Sequence, residues 1–182
     1  MKVIIFGITG LARSGKNTAA RFLVKKFGFL HFDFYRDVIV ELLRKKGLRA
    51  TKINASKLGN ELRKKCGKGI MGKLLAKKIL KEIKKFKRKK IVIVITGIRS
   101  KEEIKEFEKI LKSKIILIEI YAPEKERFKR SKLKSFREFK EREKLDKEKG
   151  LGKVLKLAKF RIKNILRKEM KKELKLIVDK FV

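Results

Sequence analysis

The alternation of short, unbroken apolar runs with longer amphipathic stretches predicts an α/β fold: three layers, with helices on both faces of a five-stranded parallel sheet. Two observations carry this expectation. Runs such as Val3–Phe6, Ile91–Ile95 and Ile115–Ile120 are too uniformly apolar for a sheet with one wet face. They suit strands buried on both sides. Between them lie stretches whose apolar residues recur at helical spacing, as parallel crossovers require.

The elements follow in order. Val3–Phe6 is the first strand, and a glycine-rich turn leads into a helix over Thr18–Phe27 with Ala19, Phe22, Leu23 and Phe27 on one face. Phe29–Phe32 is a short second strand, and Asp37–Lys46 a helix ended by Gly47. Residues 51–66 and 69–86 form two more helices, the second with Leu75, Ile79, Ile83 and Phe86 aligned. Ile91–Ile95 is the best central strand. Ser100 caps a helix over 101–111, with Glu102 and Glu103 favouring its dipole. Ile115–Ile120 is the fourth strand, and Pro123 suits the first turn of the next helix. Residues 133–149 are strongly polar and read as mobile or loosely packed. Phe160–Ile162 is a last strand, and Asn164–Phe181 a closing helix. The first strand is expected beside the third, with ligands at the carboxyl ends of the strands.

Length and composition limit the function classes. The 182 residues suit one domain spanning 1–182, with no proline- or glycine-rich linker and no internal repeat. One cysteine (Cys66) and one histidine (His31) rule out an intrachain disulfide and a zinc site of the usual ligand count. Cys66 is expected as a buried small apolar residue, His31 in a packed or surface role. The apolar runs are too short to cross a membrane, and Gly7 and Gly10 interrupt the first before a signal-peptide core can form. A cytoplasmic location is expected.

The charge is extreme, 56 Lys and Arg against 20 Asp and Glu, or +36. Such a surface attracts phosphates and nucleic acid. The spread of the charge along the whole chain equally fits a lysine-biased, heat-adapted composition. Segment 63–90 stands out, with 14 Lys and Arg against Glu82 alone.

The chemistry lies in Gly10-Leu11-Ala12-Arg13-Ser14-Gly15-Lys16-Asn17-Thr18, a near match to G-x-x-x-x-G-K-[ST] between a strand and a helix. Glycines let the backbone curl so that its N–H groups converge on phosphate oxygens. The helix start adds its dipole, and Lys16 supplies a point charge. Asn17 stands where a serine or threonine would touch Mg²⁺, with Thr18 one place later.

With this loop the chain resembles P-loop kinases of the nucleoside-monophosphate kinase and dephospho-CoA kinase superfamily. Within it, the resemblance is to a poorly characterised archaeal family of dephospho-CoA-kinase-like nucleotide kinases. Gly15-Lys16-Asn17-Thr18-Ala19-Ala20 also looks like phage deoxynucleotide kinases. The likeness runs from Lys2 to about Asn164 and implies a helical acceptor-binding region at about 37–88 and a lid at about 124–150.

The resemblance also implies residue roles. Asp37, in Asp37-Val38-Ile39, would orient the acceptor, with Asp33 as a second candidate. Val40 stands where an arginine is usual, so Arg36 or Arg44 would replace it. Arg63, in Leu58-Gly59-Asn60-Glu61-Leu62-Arg63, would hold the acceptor's phosphate. In Ile95-Thr96-Gly97-Ile98-Arg99-Ser100 the family has aspartate at the place of Thr96. Thr96 would then meet a metal only through water, while Arg99 faces the phosphates. Lid arginines Arg127, Arg130 and Arg142 would close over the triphosphate. Asn164, in Ala158-Lys159-Phe160-Arg161-Ile162-Lys163-Asn164, would lie near the adenine, with Lys159 where aspartate is usual. ATP and Mg²⁺ are the implied cofactors.

Three functions are therefore open. The first is ATP-dependent phosphoryl transfer to a small phosphorylated acceptor, a nucleoside monophosphate or dephospho-CoA. The second is a nucleic-acid-associated nucleotide-binding protein or polynucleotide kinase, motivated by segment 63–90. The third is a degenerate kinase that binds ATP with little turnover, motivated by Asn17, Thr96 and Lys159. The sequence sets neither acceptor nor oligomeric state.

Overall fold

The computed structural model describes residues 2–146 and 150–182; the side chains of Lys52, Arg142, Leu145 and Asp146 also fall outside that description. Five parallel strands, β1 (Lys2–Thr9), β2 (Leu30–Asp33), β3 (Lys90–Thr96), β4 (Ile115–Tyr121) and β5 (Phe160–Lys163), lie in the order β2-β3-β1-β4-β5. The first strand lies beside the third, as the sequence predicts. Chain direction across the sheet reverses at β1, so the crevice at its carboxyl end is where this architecture places ligands.

Alternate residues of each strand feed two separate cores. Ile5, Ile91, Ile93, Ile95 and Leu117 pack under α2 (Glu41–Lys45), α3 (Lys52–Cys66), α4 (Ile70–Ile83) and α5 (Lys101–Leu111). Ile4, Phe6, Ile8, Val94, Ile118 and Ile120 pack under α1 (Lys16–Phe27) and α9 (Arg167–Asp179). Continuous apolar runs follow from this two-sided burial. In α4, Leu75, Ile79 and Ile83 are buried, each contributing about 1.5–3 kcal/mol on removal from water.

Several expectations change. The helix expected from Asp37 opens as a π-helix over Tyr35–Val40 and only then becomes α2. Pro123 is the N-cap of α6 (Glu124–Lys129), one place before its first turn. The polar stretch expected to be mobile contains α7 (Phe136–Asp146); residues 147–149 of that expectation lie outside the described residues. Phe136 and Phe139 of α7 pack with Phe128 at ring separations of 5.2 and 5.6 Å, and the buried Phe139 gives the helix an inward side despite its polarity. A short helix, α8 (Gly152–Leu155), follows. Cys66 is exposed, not buried, because it ends α3 just before the chain turns away at Gly67, φ 85°. No helix among the described residues is long and apolar enough to cross a membrane.

Candidate nucleotide and acceptor site

The loop after β1 is shaped by three left-handed residues: Gly10 (φ 144°), Arg13 (φ 63°) and Gly15 (φ 107°). A Cβ on Gly10 would meet the Ile120 carbonyl and lie 2.7 Å from Ser14 Oγ; one on Gly15 would collide with the Asn164 carboxamide. Both positions thus need glycine for conformation and for space. Lys16 Nζ reaches back to the carbonyls of Gly10 and Leu11, each at 2.8 Å, holding its charge over the loop. At the start of α1, Gly15 provides no side-chain cap and the first turn carries no acidic residue. The first-turn amides, which have no intrahelical partner, are thus left for an anion. Asn17 is exposed beside them, and Thr18 half-buried.

Asn164 sits beneath this loop. It is buried, and its Nδ2 donates to the Ser14 carbonyl at 2.7 Å while its own amide donates to Tyr121 O at 2.6 Å. Arg130 Nη2 donates to the Asn164 carbonyl at 2.9 Å. These residues brace the loop from β5 and α6. Thr9 Oγ1, Ser14 Oγ and Asn164 Oδ1 are buried and have no hydrogen-bond partner among the described residues.

The ends of β2 and β3 carry a second cluster. Asp33 and Thr96 are direct partners in the sheet, and Thr96 pairs with Ile8 of β1. Thr96 Oγ1 donates to Asp33 Oδ2 at 2.6 Å and lies 2.9 Å from His31 Nε2. A hydroxyl has one proton, so His31 Nε2 must be the donor in that second contact. Thr96 was expected to meet a metal-bound water; instead it is 1% exposed and its hydroxyl is held between His31 and Asp33. Desolvation, then the Arg36 charge, push His31 below its ordinary value against the pull of Asp33 and Asp37.

Asp37 is already surrounded by cations. Arg36 bonds it through Nη2 at 2.8 Å and Nε at 3.2 Å, Lys78 Nζ lies at 3.3 Å, and its Oδ2 accepts the Asp33 amide at 2.6 Å. Burial works to raise its carboxyl, but Arg36, the Asp33 amide and Lys78 together hold it below its ordinary value. Lys78 also bridges to Glu41. Arg36, one of the stand-ins for the arginine missing at Val40, is committed to Asp37 and the His31 carbonyl. Asp33 differs: its Oδ1 accepts the amides of Tyr35 and Arg36, and it has no ion pair among the described residues. A Cβ at Gly97, φ 84°, would come within 3.2 Å of Asp33 Oδ2, so glycine leaves that side of the Thr96-bonded oxygen open.

The expected arginines divide. Arg63 projects from α3 onto α5, and Arg99 is exposed at the end of the β3–α5 loop. Gly150 packs against this loop, where a Cβ would lie 3.1 Å from Arg99 O. Arg127, expected to close over triphosphate, is instead 3% exposed, bonded to Glu143 at 2.9 and 3.0 Å and to Ala122 O at 2.9 Å. It pins α7 onto α6. The Arg142 side chain lies outside the described residues, and Lys159 lies over the Phe160 and Phe181 rings.

Sequence reasoning missed Lys78, Glu143 and the role of Glu103. Only Glu103 carried a signal, the Ser100-x-x-Glu103 spacing of a capping box.

The AAA domain description matches residues 9–149. A relative from Archaeoglobus fulgidus, named UPF0200/UPF0201 protein, is 33% identical over 171 residues, covering 90% of this chain. The chain spans about half of that relative's length, 50%. A UPF0200 protein of Thermococcus onnurineus is 30% identical over 174 residues, covering 91% of each chain. Among solved structures, shikimate kinase from Aquifex aeolicus superposes with a TM-score of 0.52 at 19% identity, covering 97% of each chain. That likeness shows the fold, the kinase-like P-loop architecture. With a strand–glycine loop–helix unit at β1, a matching domain over residues 9–149 and a 30% identical relative along nearly its whole length, the chain belongs to the UPF0200 family of P-loop proteins.

Proposed function

We propose that the chain transfers the γ-phosphoryl group of ATP to a small phosphorylated acceptor, of the nucleoside monophosphate or dephospho-CoA type. The observation that carries this reading is the uncapped, acid-free start of α1 beneath a glycine loop whose lysine is folded over it. Triphosphate oxygens accept from the loop and first-turn amides, with Lys16 on the outer phosphates. Arg130, beside Asn164, stands at the edge of the nucleotide site.

On the acceptor side, Arg63 and Arg99 supply guanidinium groups suited to bidentate phosphate contacts. In the transfer, the bond from the γ-phosphorus to the ADP oxygen breaks as a bond to the acceptor oxygen forms. A nucleoside monophosphate attacks through a phosphate oxygen that carries no proton. A hydroxyl acceptor, as in dephospho-CoA, must give its proton to a carboxylate. Asp33 suits that task better than Asp37, because Asp37 is already bound by Arg36 and Lys78. Asp37 then acts through its hold on the Asp33 amide.

Among the described residues no cluster of three His, Cys, Asp or Glu side chains forms a metal cage. The donor set fits a Mg²⁺ that arrives on the phosphates and needs few protein ligands. Asn17 and, through water, Asp33 are the residues that would hold it. When bound, it neutralises charge on the outer phosphate oxygens.

The test is ATP turnover with Mg²⁺ across ribo- and deoxynucleoside monophosphates, dephospho-CoA and short 5′-hydroxyl RNA. ADP release that requires one phosphorylated small molecule and vanishes in Lys16→Ala is the expected result. ATP binding without stimulation by any small acceptor would overturn the reading.

A further inference from the structure

Glu103 is 1% exposed, yet it is a carboxylate with two distinct sets of partners. Oε2 accepts the backbone amides of Arg99 at 2.9 Å and Ser100 at 3.2 Å. Oε1 accepts Arg63 Nη2 at 3.0 Å, from a helix 40 residues earlier in the chain. A capping box needs only the contacts near Ser100. The Arg63 contact is extra, and it joins the acceptor-side helix α3 to the β3–α5 loop.

The neighbourhood is built to make this contact. A Cβ on Gly59, one helical turn before Arg63, would lie 3.1 Å from Arg63 Nη1, so the glycine gives the guanidinium room to lie along α3. A Cβ on Gly72 of α4 would collide with the backbone of Glu103, 2.8 Å from its carbonyl carbon, so glycine there lets α4 pack directly on the turn that carries Glu103. Arg63 is 31% exposed, so its guanidinium is held at one edge and open at another. A guanidinium has five N–H donors in a rigid plane, so fixing one edge fixes the direction of the rest.

We propose that Glu103 is a positioning residue for the acceptor's phosphate: it fixes the Arg63 guanidinium and the Arg99 backbone to one buried carboxylate, so that both arginines are set before the acceptor arrives. The proposal rests on the reading that Arg63 and Arg99 hold a phosphorylated acceptor. It adds that their spacing is set by a side chain that never touches the ligand.

The variant of choice is Glu103→Gln. Glutamine at this place still completes a capping box, but it turns an amide toward Arg63 or toward the Arg99 amide and releases one of them. Binding of 5′-AMP and of dephospho-CoA would be measured by calorimetry, alongside binding of a fluorescent ATP analogue. Glu103→Gln is expected to weaken the phosphorylated acceptor probe about tenfold, the scale of one charge-assisted hydrogen bond, and to leave ATP-analogue affinity unchanged. Gly59→Ala, acting on Arg63 from the other side, should weaken the same probe in the same direction.

Arg63→Gln separates positioning from mere structure. If Glu103 acts through Arg63, Glu103→Gln has little further effect, under about twofold, in the Arg63→Gln background. A tenfold loss that persists both in that background and in an Arg99→Gln background overturns the proposal, as does unchanged probe affinity in Glu103→Gln. A wild-type chain that binds the ATP analogue but neither acceptor probe removes the acceptor reading itself, and the proposal with it.

Discussion

Replacing Arg127 by methionine separates the resemblance from the geometry. The resemblance makes Arg127 a lid arginine that touches triphosphate. The structure buries its guanidinium, with two bonds to the Glu143 carboxylate, one to Ala122 O and the Phe139 ring 5.4 Å away. Methionine keeps much of the apolar stem but takes both Arg127 hydrogen bonds away from Glu143, a carboxylate only 6% exposed. Breaking such a pair costs about 3–5 kcal/mol. For a domain of this size that lowers the unfolding midpoint by about 6–20 °C. Equilibrium urea unfolding gives the free energy directly, and binding of a fluorescent ATP analogue to the folded fraction gives the functional side. The expected pattern is a large stability loss with near-wild-type affinity. Adding Glu143→Leu should recover part of the stability, because the buried carboxylate that lost Arg127 is gone. A stable Arg127→Met chain that has lost nucleotide affinity would refute the reasoning and return Arg127 to the triphosphate.

The remaining predictions concern the loop and the ends of β2 and β3. Asn164→Ala leaves the buried Ser14 carbonyl without its donor and should cost about 1–3 kcal/mol, read by urea unfolding, together with weaker ATP binding. Equal stability would show that the brace is dispensable. His31 is held below its ordinary value of 6.5. As pH falls through 6.5 the unfolded chain therefore takes up a proton before the folded one, and stability drops. The stability difference between wild type and His31→Gln should shrink from about pH 8 to about pH 5, and a constant difference would contradict the desolvated, Thr96-bonded ring. Thr96→Asp sets a second carboxylate against Asp33. It should lower stability at neutral pH and regain part of it on acidification, as one proton comes to be shared; a large gain in turnover would show that metal handling limits the wild type, and no change that position 96 is not the limit.

Strands β1, β3 and β4 were legible because two-sided burial writes itself as continuous apolar sequence, whereas the edge strands β2 and β5 are four residues each with a single buried position. The loop at Gly10–Thr18 was legible because its chemistry is local: the glycine, the lysine and the helix start are consecutive. Residues 133–149 misled because α7 buries a narrow side built from Phe139 and Glu143, and Glu143 scores as polar until its partner Arg127 is known. Cys66 misled in the opposite direction, since composition says cysteines are buried but only the end of α3 says where this one points.

By itself the sequence determined the α/β class and the glycine loop, since these follow from periodicity or from residues a few places apart; the first strand beside the third was expected from the fold class, and β4 on its other side came only with the tertiary structure. Tertiary structure decided how the charged residues are divided. Asp33 and Asp37 are four residues apart and indistinguishable by type, yet Lys78 from α4 helps neutralise Asp37 and Thr96 from β3 bonds Asp33. Arg63 and Arg127 are both arginines in matching motifs, yet one is held half-open by Glu103 and the other is sealed against Glu143. In a chain with 56 cations against 20 acids, an arginine's role depends on which carboxylate the fold brings to it, and that pairing is set by contacts between distant segments.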